Sequence, residues 1–138
     1  MKRNGQCMCG AVTYTASDID PNISACHCKM CQRWAGGPYF SAVAKTIEWE
    51  GEDYIKVITS SAWAERAFCT ECGTGLFYRI TAPGEHEGMT ALAVGTLDDT
   101  DGFTLEREWF FDKRCSAYQL EGERLKVTAE QAKEMFGG

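Results

Sequence analysis

The spacing of its eight cysteines is the feature that most limits how this 138-residue chain can fold. Seven of them form three short motifs, which are CxC at Cys7 and Cys9, CxCxxC at Cys26, Cys28 and Cys31, and CxxC at Cys69 and Cys72. Cysteines two or three residues apart are badly placed to form an ordinary disulfide with each other, but their sulfurs can converge on one metal ion. The spacing therefore predicts metal sites rather than a disulfide framework.

The first residues of the chain support the same interpretation. The segment MKRNGQCMCG carries charge but lacks the apolar stretch of a secretory signal peptide. Disulfides persist mainly in oxidising compartments, whereas thiols stay reduced in the cytoplasm. We therefore expect a cytoplasmic protein whose cysteines bind zinc.

Ligand counting divides the cysteines into two predicted sites. A structural zinc takes four protein ligands, whereas a catalytic zinc keeps three and leaves one position open. Glycine follows both Cys9 and Cys72, which suits tight turns that bring backbone N–H groups close to thiolate sulfurs. We assign one structural zinc to the two paired motifs, which supply Cys7, Cys9, Cys69 and Cys72. The remaining Cys26, Cys28 and Cys31 form an open three-cysteine site, which is the candidate active site.

A second structural zinc is the alternative for the three-cysteine group, with Cys115, His27 or His86 as its fourth ligand. By itself, Cys115 is more typical of an inert buried thiol. In an extended CxC segment the ring of His27 points away from a metal shared by its neighbours, so it either supports the site or is a hydrogen-bonded, partly buried imidazole. His86 lies in the acidic turn PGEHEG and is expected to be solvated.

Charge and hydropathy exclude two other classes of protein. Lys and Arg number 14 against 20 Asp and Glu, a net charge of −6, which is the wrong sign for a general binder of phosphate backbones. No apolar run approaches the roughly 18 residues that a transmembrane helix requires. We expect no nucleic-acid partner and no membrane span, and the oligomeric state stays open.

The hydrophobic pattern predicts one mainly β domain over residues 1–138, built from small antiparallel sheets. Strands are expected near residues 12–15, 47–50, 54–59, 63–69, 75–80, 89–94 and 105–111. A short helix is expected over Lys29–Ala35, before Gly36. A C-terminal helix is predicted by the capping box of Thr128 and Gln131. Its apolar residues at helical spacing are Leu125, Ala129, Ala132 and Phe136.

The cysteine motifs lie in three longer segments, which read GQCMCGAVTY, CHCKMCQRWAGGP and RAFCTECGTGLF, and a fourth segment reads GTLDD at Gly95–Asp99. Together these segments resemble the glutathione-dependent formaldehyde-activating enzyme family, also known as S-(hydroxymethyl)glutathione synthases. The likeness covers about residues 5–118. It implies a zinc-binding β-tent fold, a structural zinc at the four paired cysteines and a catalytic zinc at the triplet. After the strand near Phe111 many members carry a Pro-Trp pair, whereas this chain has KRCSAY.

The resemblance also implies a carbon–sulfur lyase or synthase. A small thiol, such as glutathione, would bind the open zinc position as thiolate and add to formaldehyde or a related aldehyde to give S-hydroxymethylglutathione. Three thiolate ligands weaken the Lewis acidity of zinc, which favours thiol activation over water activation. The two carboxylates of glutathione need local cations, for which Lys29 and Arg33 are nearest in sequence, and Trp34 can line the same pocket.

Two other functions fit the same residues. The first is a non-enzymatic zinc-containing binding module of the same fold. The second is redox chemistry with Cys115 or a triplet cysteine as the nucleophile, which a zinc-bound triplet disfavours.

Overall fold

The computed structural model describes residues 1–136, and most of its regular structure is β. The strands are β1 (Arg3–Gln6), β2 (Thr13–Ile19), β3 (Asn22–Cys26), β4 (Tyr39–Glu50), β5 (Ile55–Thr59), β6 (Ala64–Cys69), β7 (Gly75–Ile80), β8 (Thr90–Ala93), β9 (Thr104–Trp109) and β10 (Leu125–Val127). The α-helices are α1 (Lys29–Ala35) and α2 (Ala129–Phe136). Short 3₁₀ turns are formed by Glu52–Tyr54, Val94–Thr96 and Phe111–Lys113. The prediction of a mainly β protein with a C-terminal helix is confirmed.

Tertiary contacts divide the chain into two compact units. The first comprises Met1–Pro21 and Ser41–Gly102, and the second comprises Asn22–Phe40 and the segment from Phe103 onward. The paired cysteine motifs fall in the first unit and the cysteine triplet in the second. The assignment of the whole chain to one domain stays a prediction.

The first unit is built on an antiparallel sheet with the strand order β1, β2, β4, β8, β7, β6 and β5. Strand β2 shows why the sequence folds this way, because Tyr14 and Ala16 are buried while the intervening Thr15 is half-exposed. The fully buried Leu76 and Leu92 come from β7 and β8. Burying each leucine stabilises the fold by about 1.5–3 kcal/mol.

The second unit contains parallel strands, with β9 between β3 and β10. This pairing differs from the small antiparallel sheets expected from the sequence. Alternation with period two marks a strand but carries no information about the direction of its neighbour, and parallel partners require long connections. The short strands β1, β3 and β10 were not expected from the sequence.

Both predicted helices are present. Helix α1 has the expected bounds, begins after the N-cap Cys28 and ends at Ala35, before the C-cap Gly36, whose φ of 81° is readily adopted by glycine. Before α2, the Thr128 amide donates to Gln131 Oε1 at 2.9 Å, and the Gln131 amide donates to Thr128 Oγ1 at 3.2 Å, so the capping box is confirmed. Leu125, which was expected on the helical pattern, lies instead in β10, because the helix begins only after this cap.

The central predicted strands are also confirmed, with one large change in length. Strand β7 has the expected bounds. Strand β4 extends from Tyr39 to Glu50, whereas the sequence predicted only its last four residues as a strand. The first half of β4 is largely buried and rich in small residues, so it lacks the polar alternation that identifies a half-exposed strand. Neither helix within residues 1–136 is long and apolar enough to cross a membrane.

Candidate metal centres

The four paired cysteines converge in the first unit. Cys7 and Cys9 follow β1, and Cys69 and Cys72 lie at the end of β6 and just beyond it. All four sulfurs lie within 4.8 Å of one another. The Cys7 and Cys9 sulfurs are 3.6 Å apart, and those of Cys9 and Cys69 are 3.9 Å apart. The two motifs that the sequence placed together therefore form one cluster.

Each pair sits in a tight turn that directs backbone N–H groups at sulfur. The Gly73 amide donates to the Cys69 carbonyl at 2.8 Å, and Gly73 has a φ of 79°, a conformation that side-chain-bearing residues rarely adopt. The Val12 amide donates to Cys7 Sγ at 3.4 Å, and the Glu71 amide donates to Cys69 Sγ at 3.4 Å. Such donors stabilise thiolates, which is the form in which cysteine binds metal.

Thr74 links the two turns. Its hydroxyl oxygen accepts a hydrogen bond from the Met8 amide at 3.0 Å and lies 3.1 Å from Cys72 Sγ. This side-chain hydrogen bond with Thr74 is the main reason why the pKa of Cys72 falls to about 5. Thr74 contacts both the CxC and the CxxC motifs, so it fixes their positions relative to each other. It also stabilises the thiolate form of Cys72.

Two of the sulfur–sulfur separations match those expected around a tetrahedral zinc ion. Zinc–sulfur bonds of about 2.3 Å in a tetrahedron require sulfur atoms roughly 3.8 Å apart. The two separations given above, 3.6 and 3.9 Å, bracket that value. The cluster can therefore hold a metal ion with four protein ligands, and the donor set of four thiolates suits zinc.

The cysteine triplet lies in the second unit, where β3 leads into α1. Cys26 is the last residue of β3, Cys28 is the N-cap of α1 and Cys31 lies in its first turn. The Cys31 amide donates to Cys28 Sγ at 3.3 Å, so the sulfur also caps the helix. The three sulfurs lie within 4.8 Å of one another.

The triplet has the chemistry of an open metal site. Hydrogen bonds with Cys28 and Cys31, together with burial, strongly raise the pKa of Cys26, because three crowded sulfurs cannot all ionise without a cation. Among residues 1–136, no fourth His, Cys, Asp or Glu side chain joins the group. His27, His86 and Cys115 therefore do not complete a closed four-ligand site, and the triplet can hold a metal with one position left over.

Cys115 is exposed, so the expectation of an inert buried thiol was wrong. The reason lies in its position, since Cys115 follows the 3₁₀ turn Phe111–Lys113 and belongs to no strand or helix that carries a buried face. His86 is half-buried in its turn rather than fully solvated.

His27 is buried, with 1% of its surface exposed, and takes part in a polar network. Its Nε2 lies 2.8 Å from Glu108 Oε1, so the imidazole donates to the carboxylate, and Arg124 Nη1 donates to Glu108 Oε2 at 2.8 Å. Burial by itself would raise the pKa of Glu108, but the hydrogen bonds from Arg124 and His27 hold it below its ordinary value. Glu108 is therefore an ionised carboxylate between two donors.

No sequence pattern identified Glu108 and Arg124 as members of this network. Glu108 and Arg124 are separated by 16 residues, and neither lies near a recognisable motif. The contacts of Thr74 were not predicted either, although this residue directly follows the CxxCG segment. Contacts of this kind arise from strand pairing, because β9 lies beside β3 and so places Glu108 opposite Ala25, next to the triplet.

The three residues proposed from the sequence to hold glutathione all lie on or near α1. Lys29 and Arg33 are exposed and four residues apart, which places them on the same face of the helix. Trp34 is half-buried and packs against Tyr39, with ring centroids 5.0 Å apart. The structure therefore brings the two cations together and places the indole outside their helical face.

Comparison with known proteins gives two results. Residues 2–113 match the family model described as glutathione-dependent formaldehyde-activating enzyme. A protein of Schizosaccharomyces pombe named as an uncharacterized lyase is 39% identical over 79 residues, which are 56% of this chain. The match spans 57% of the length of that relative.

Proposed function

Because the chain belongs to the glutathione-dependent formaldehyde-activating enzyme family, we propose that it joins a small thiol to formaldehyde or a related aldehyde and cleaves the same bond in reverse. In the forward direction the thiol sulfur bonds to the carbonyl carbon, the π pair moves onto oxygen, and the thiol proton ends on that oxygen. With glutathione the product is S-hydroxymethylglutathione. The name of the Schizosaccharomyces pombe relative as a lyase supports the reverse direction.

The observation that carries the proposal is the three-sulfur cluster without a fourth protein ligand among residues 1–136. Zinc held by Cys26, Cys28 and Cys31 would supply one free coordination position, where a thiol loses its proton at neutral pH. The chain's part is to hold the three sulfurs convergent. Strand β3, the N-cap of α1 and the first turn of α1 each supply one of them.

The exposed face of α1 is the proposed binding surface for the carboxylates of glutathione. Lys29 lies next to the N-cap Cys28, and Arg33 lies one turn further along the same face. Two cations at this spacing offer charge-assisted hydrogen bonds to two carboxylates on a protein whose net charge is −6. We propose that Trp34, whose ring packs at a tilt against Tyr39, forms an aromatic boundary of this surface. A reducing compartment such as the cytoplasm, which contains glutathione, keeps the cysteines available.

The activity is tested by exchange NMR of formaldehyde with glutathione. The zinc-loaded protein is expected to accelerate exchange between free and hydroxymethylated glutathione above the spontaneous rate. Cys28→Ser should return the rate to the spontaneous value, because the cluster loses one of its three thiolates. Cys115→Ser is the matched control, since it also removes one thiol but lies outside both clusters. Equal rates with and without protein would favour the non-enzymatic binding module.

The proposed thiol is tested with a pair of substrates. Lys29→Ala and Arg33→Ala should each raise KM for glutathione by roughly two- to five-fold, the range of an exposed charge pair, at constant kcat. With 2-mercaptoethanol, which has no carboxylate, KM should not change. An equal effect on both thiols would show that these cations act on the site in general rather than on glutathione carboxylates.

A further inference from the structure

The residue between two of the triplet cysteines is held by hydrogen bonds in several directions. The His27 amide donates to the Trp109 carbonyl at 2.9 Å, and the His27 carbonyl accepts from Gln32 Nε2 at 2.6 Å. Its ring donates to Glu108 and meets the Phe111 ring edge-on, with centroids 6.5 Å apart. His27 therefore has little freedom to rotate or shift, and the adjacent Cys26 and Cys28 share that restriction.

Glu108 is the charged centre of this arrangement. It is 2% exposed, and each of its carboxylate oxygens has a donor, one from His27 and one from Arg124. Arg124 Nη2 in turn donates to the Glu121 carbonyl. Removing two charges from water costs several kcal/mol per ion before pairing, so a buried pair adds little net stability compared with an apolar pair of similar volume. Stability alone therefore gives a weak reason for a buried carboxylate at this position.

The position of Glu108 in the sheet connects it directly to the triplet. Strand β9 runs parallel to β3, with Glu108 opposite Ala25 and Trp109 opposite Cys26. The backbone of β9 thus fixes the end of β3, while the Glu108 carboxylate fixes the side chain of the next residue, His27. Together they define where the chain leaves β3 and enters α1. This short connection determines the position of the Cys28 sulfur relative to the Cys26 sulfur.

We propose that Glu108 is a positioning residue of the three-cysteine site, which acts through His27 to keep the sulfurs of Cys26 and Cys28 convergent and so sets the metal affinity of that site. The inference rests on the metal-binding part of the proposed function and not on its substrate. The two carboxylate oxygens of Glu108 are hydrogen-bonded to His27 and to Arg124, so its effect on the sulfurs depends on the orientation of His27. Residues that orient metal ligands typically change affinity by about 10- to 100-fold when they are replaced.

Cobalt titration of the full chain tests the proposal, because Co²⁺ in thiolate sites gives charge-transfer and ligand-field absorption that report on each site's geometry. Glu108→Gln should weaken Co²⁺ binding at the triplet by about 10- to 100-fold and leave the four-cysteine site unchanged. Glu106→Gln is the matched control, since it removes the same charge from an exposed position on the same strand. Its titration should match that of the wild type.

Glu108→Asp separates positioning from simple charge attraction. Aspartate keeps the negative charge but is one methylene shorter, so it cannot hold the imidazole in the same place. Positioning predicts that Glu108→Asp also weakens Co²⁺ binding at the triplet and alters its ligand-field bands. Attraction of the cation by the carboxylate alone predicts affinity equal to that of the wild type, and this result would overturn the proposal.

If Glu108→Gln does not fold, Gln32→Ala provides a second test of the restraint on His27. It leaves the buried ion pair intact and removes the side chain that binds the His27 carbonyl. A smaller weakening at the triplet alone is expected, and wild-type affinity in Gln32→Ala would contradict the role of His27 through which Glu108 is proposed to act. Cobalt affinity is measured independently of catalysis. If the wild-type protein does not accelerate the exchange reaction but the Glu108 variants still bind Co²⁺ more weakly at the triplet, the proposed reaction is rejected and the positioning role of Glu108 is retained.

Discussion

The sulfur of Cys9 lies 3.9 Å from the sulfur of Cys69, although 60 residues separate the two in the chain. Strands β2, β3, β4 and β5 and most of β6 lie between them in sequence, so the four-cysteine cluster forms only when the antiparallel sheet of the first unit has assembled. A metal bound there closes a long loop, and its binding free energy contributes directly to the folding free energy. The triplet, by contrast, spans only a strand end and one helical turn.

Cys9→Ser and Cys31→Ser should therefore differ in their effect on stability. Cys9→Ser is expected to lower the free energy of unfolding by about 3 kcal/mol and Tm by roughly 10 °C, because the long-range cross-link is weakened. Cys31→Ser should lose one metal equivalent with a much smaller change in Tm. Thermal unfolding combined with metal analysis of each variant measures both quantities.

Cys115→Ser controls for the loss of a thiol as such and should retain both metal equivalents and the wild-type Tm, because Cys115 is exposed and outside both clusters. Equal destabilisation by Cys9→Ser and Cys31→Ser would contradict the division into a structural and an open site.

Tyr14→Phe should change the stability of the protein mainly at high pH. Burial raises the pKa of Tyr14 to about 12, opposed by the hydrogen bond with Thr96 and reinforced by Asp98. An unfolded tyrosine ionises near pH 10, so the unfolded chain loses this proton first as pH rises. Between about pH 10 and pH 12 the unfolded chain releases this proton while the folded protein keeps it, so the protein loses about 3 kcal/mol of stability across this range.

Urea unfolding at several alkaline pH values checks this expectation. The wild type should lose stability more steeply than Tyr14→Phe between about pH 10 and pH 12. At neutral pH the variant should lose only about 1 kcal/mol, the value of one hydrogen bond, because Thr96 Oγ1 still donates to the Ala93 carbonyl at 2.7 Å. Parallel alkaline slopes for the two proteins would show that Tyr14 ionises as readily in the folded state as in the unfolded chain.

Gly5→Ala should be destabilising because the backbone of β1 passes close to Tyr14. A Cβ atom at Gly5 would lie 2.3 Å from the Tyr14 ring and 2.6 Å from the Thr96 carbonyl oxygen. Overpacking of this kind typically costs about 1–3 kcal/mol. Gly95→Ala is the control, since its Cβ would meet nothing within 4 Å. Chemical denaturation of both variants measures the difference, and equal stabilities would refute the close packing of β1 on Tyr14.

Thr128→Ala should loosen the start of α2. The substitution removes the hydroxyl that accepts from the Gln131 amide and so disrupts the capping box. A loss of about 1 kcal/mol is expected, with faster hydrogen exchange in the first turn of α2. Thr100→Ala, at an exposed loop position, should have no such effect. Unchanged exchange in α2 would mean that the Asp112 carboxylate, which accepts from the Ala129 amide at 2.8 Å, caps the helix without Thr128.

Local sequence patterns determined a large part of this protein. The three short cysteine motifs, the short helix after the triplet, the capping box of α2 and strand β7 were all predictable, because each depends on residues within a few positions of one another. Metal-ligand motifs belong to the same class, since CxC and CxxC fix the separation of two sulfurs within one turn. The pairing of Cys7 and Cys9 with Cys69 and Cys72 followed from ligand number rather than from any long-range pattern.

Only the tertiary structure decided which distant residues support these groups. The parallel pairing of β3 with β9 places Glu108 beside His27, and the return of the chain through β10 brings Arg124 to the same carboxylate. Likewise, the packing of the first unit places Thr74 between Met8 and Cys72. Sequence periodicity specifies which face of an element is buried but not which partner covers it, because strand direction and register depend on the free energy of the assembled core.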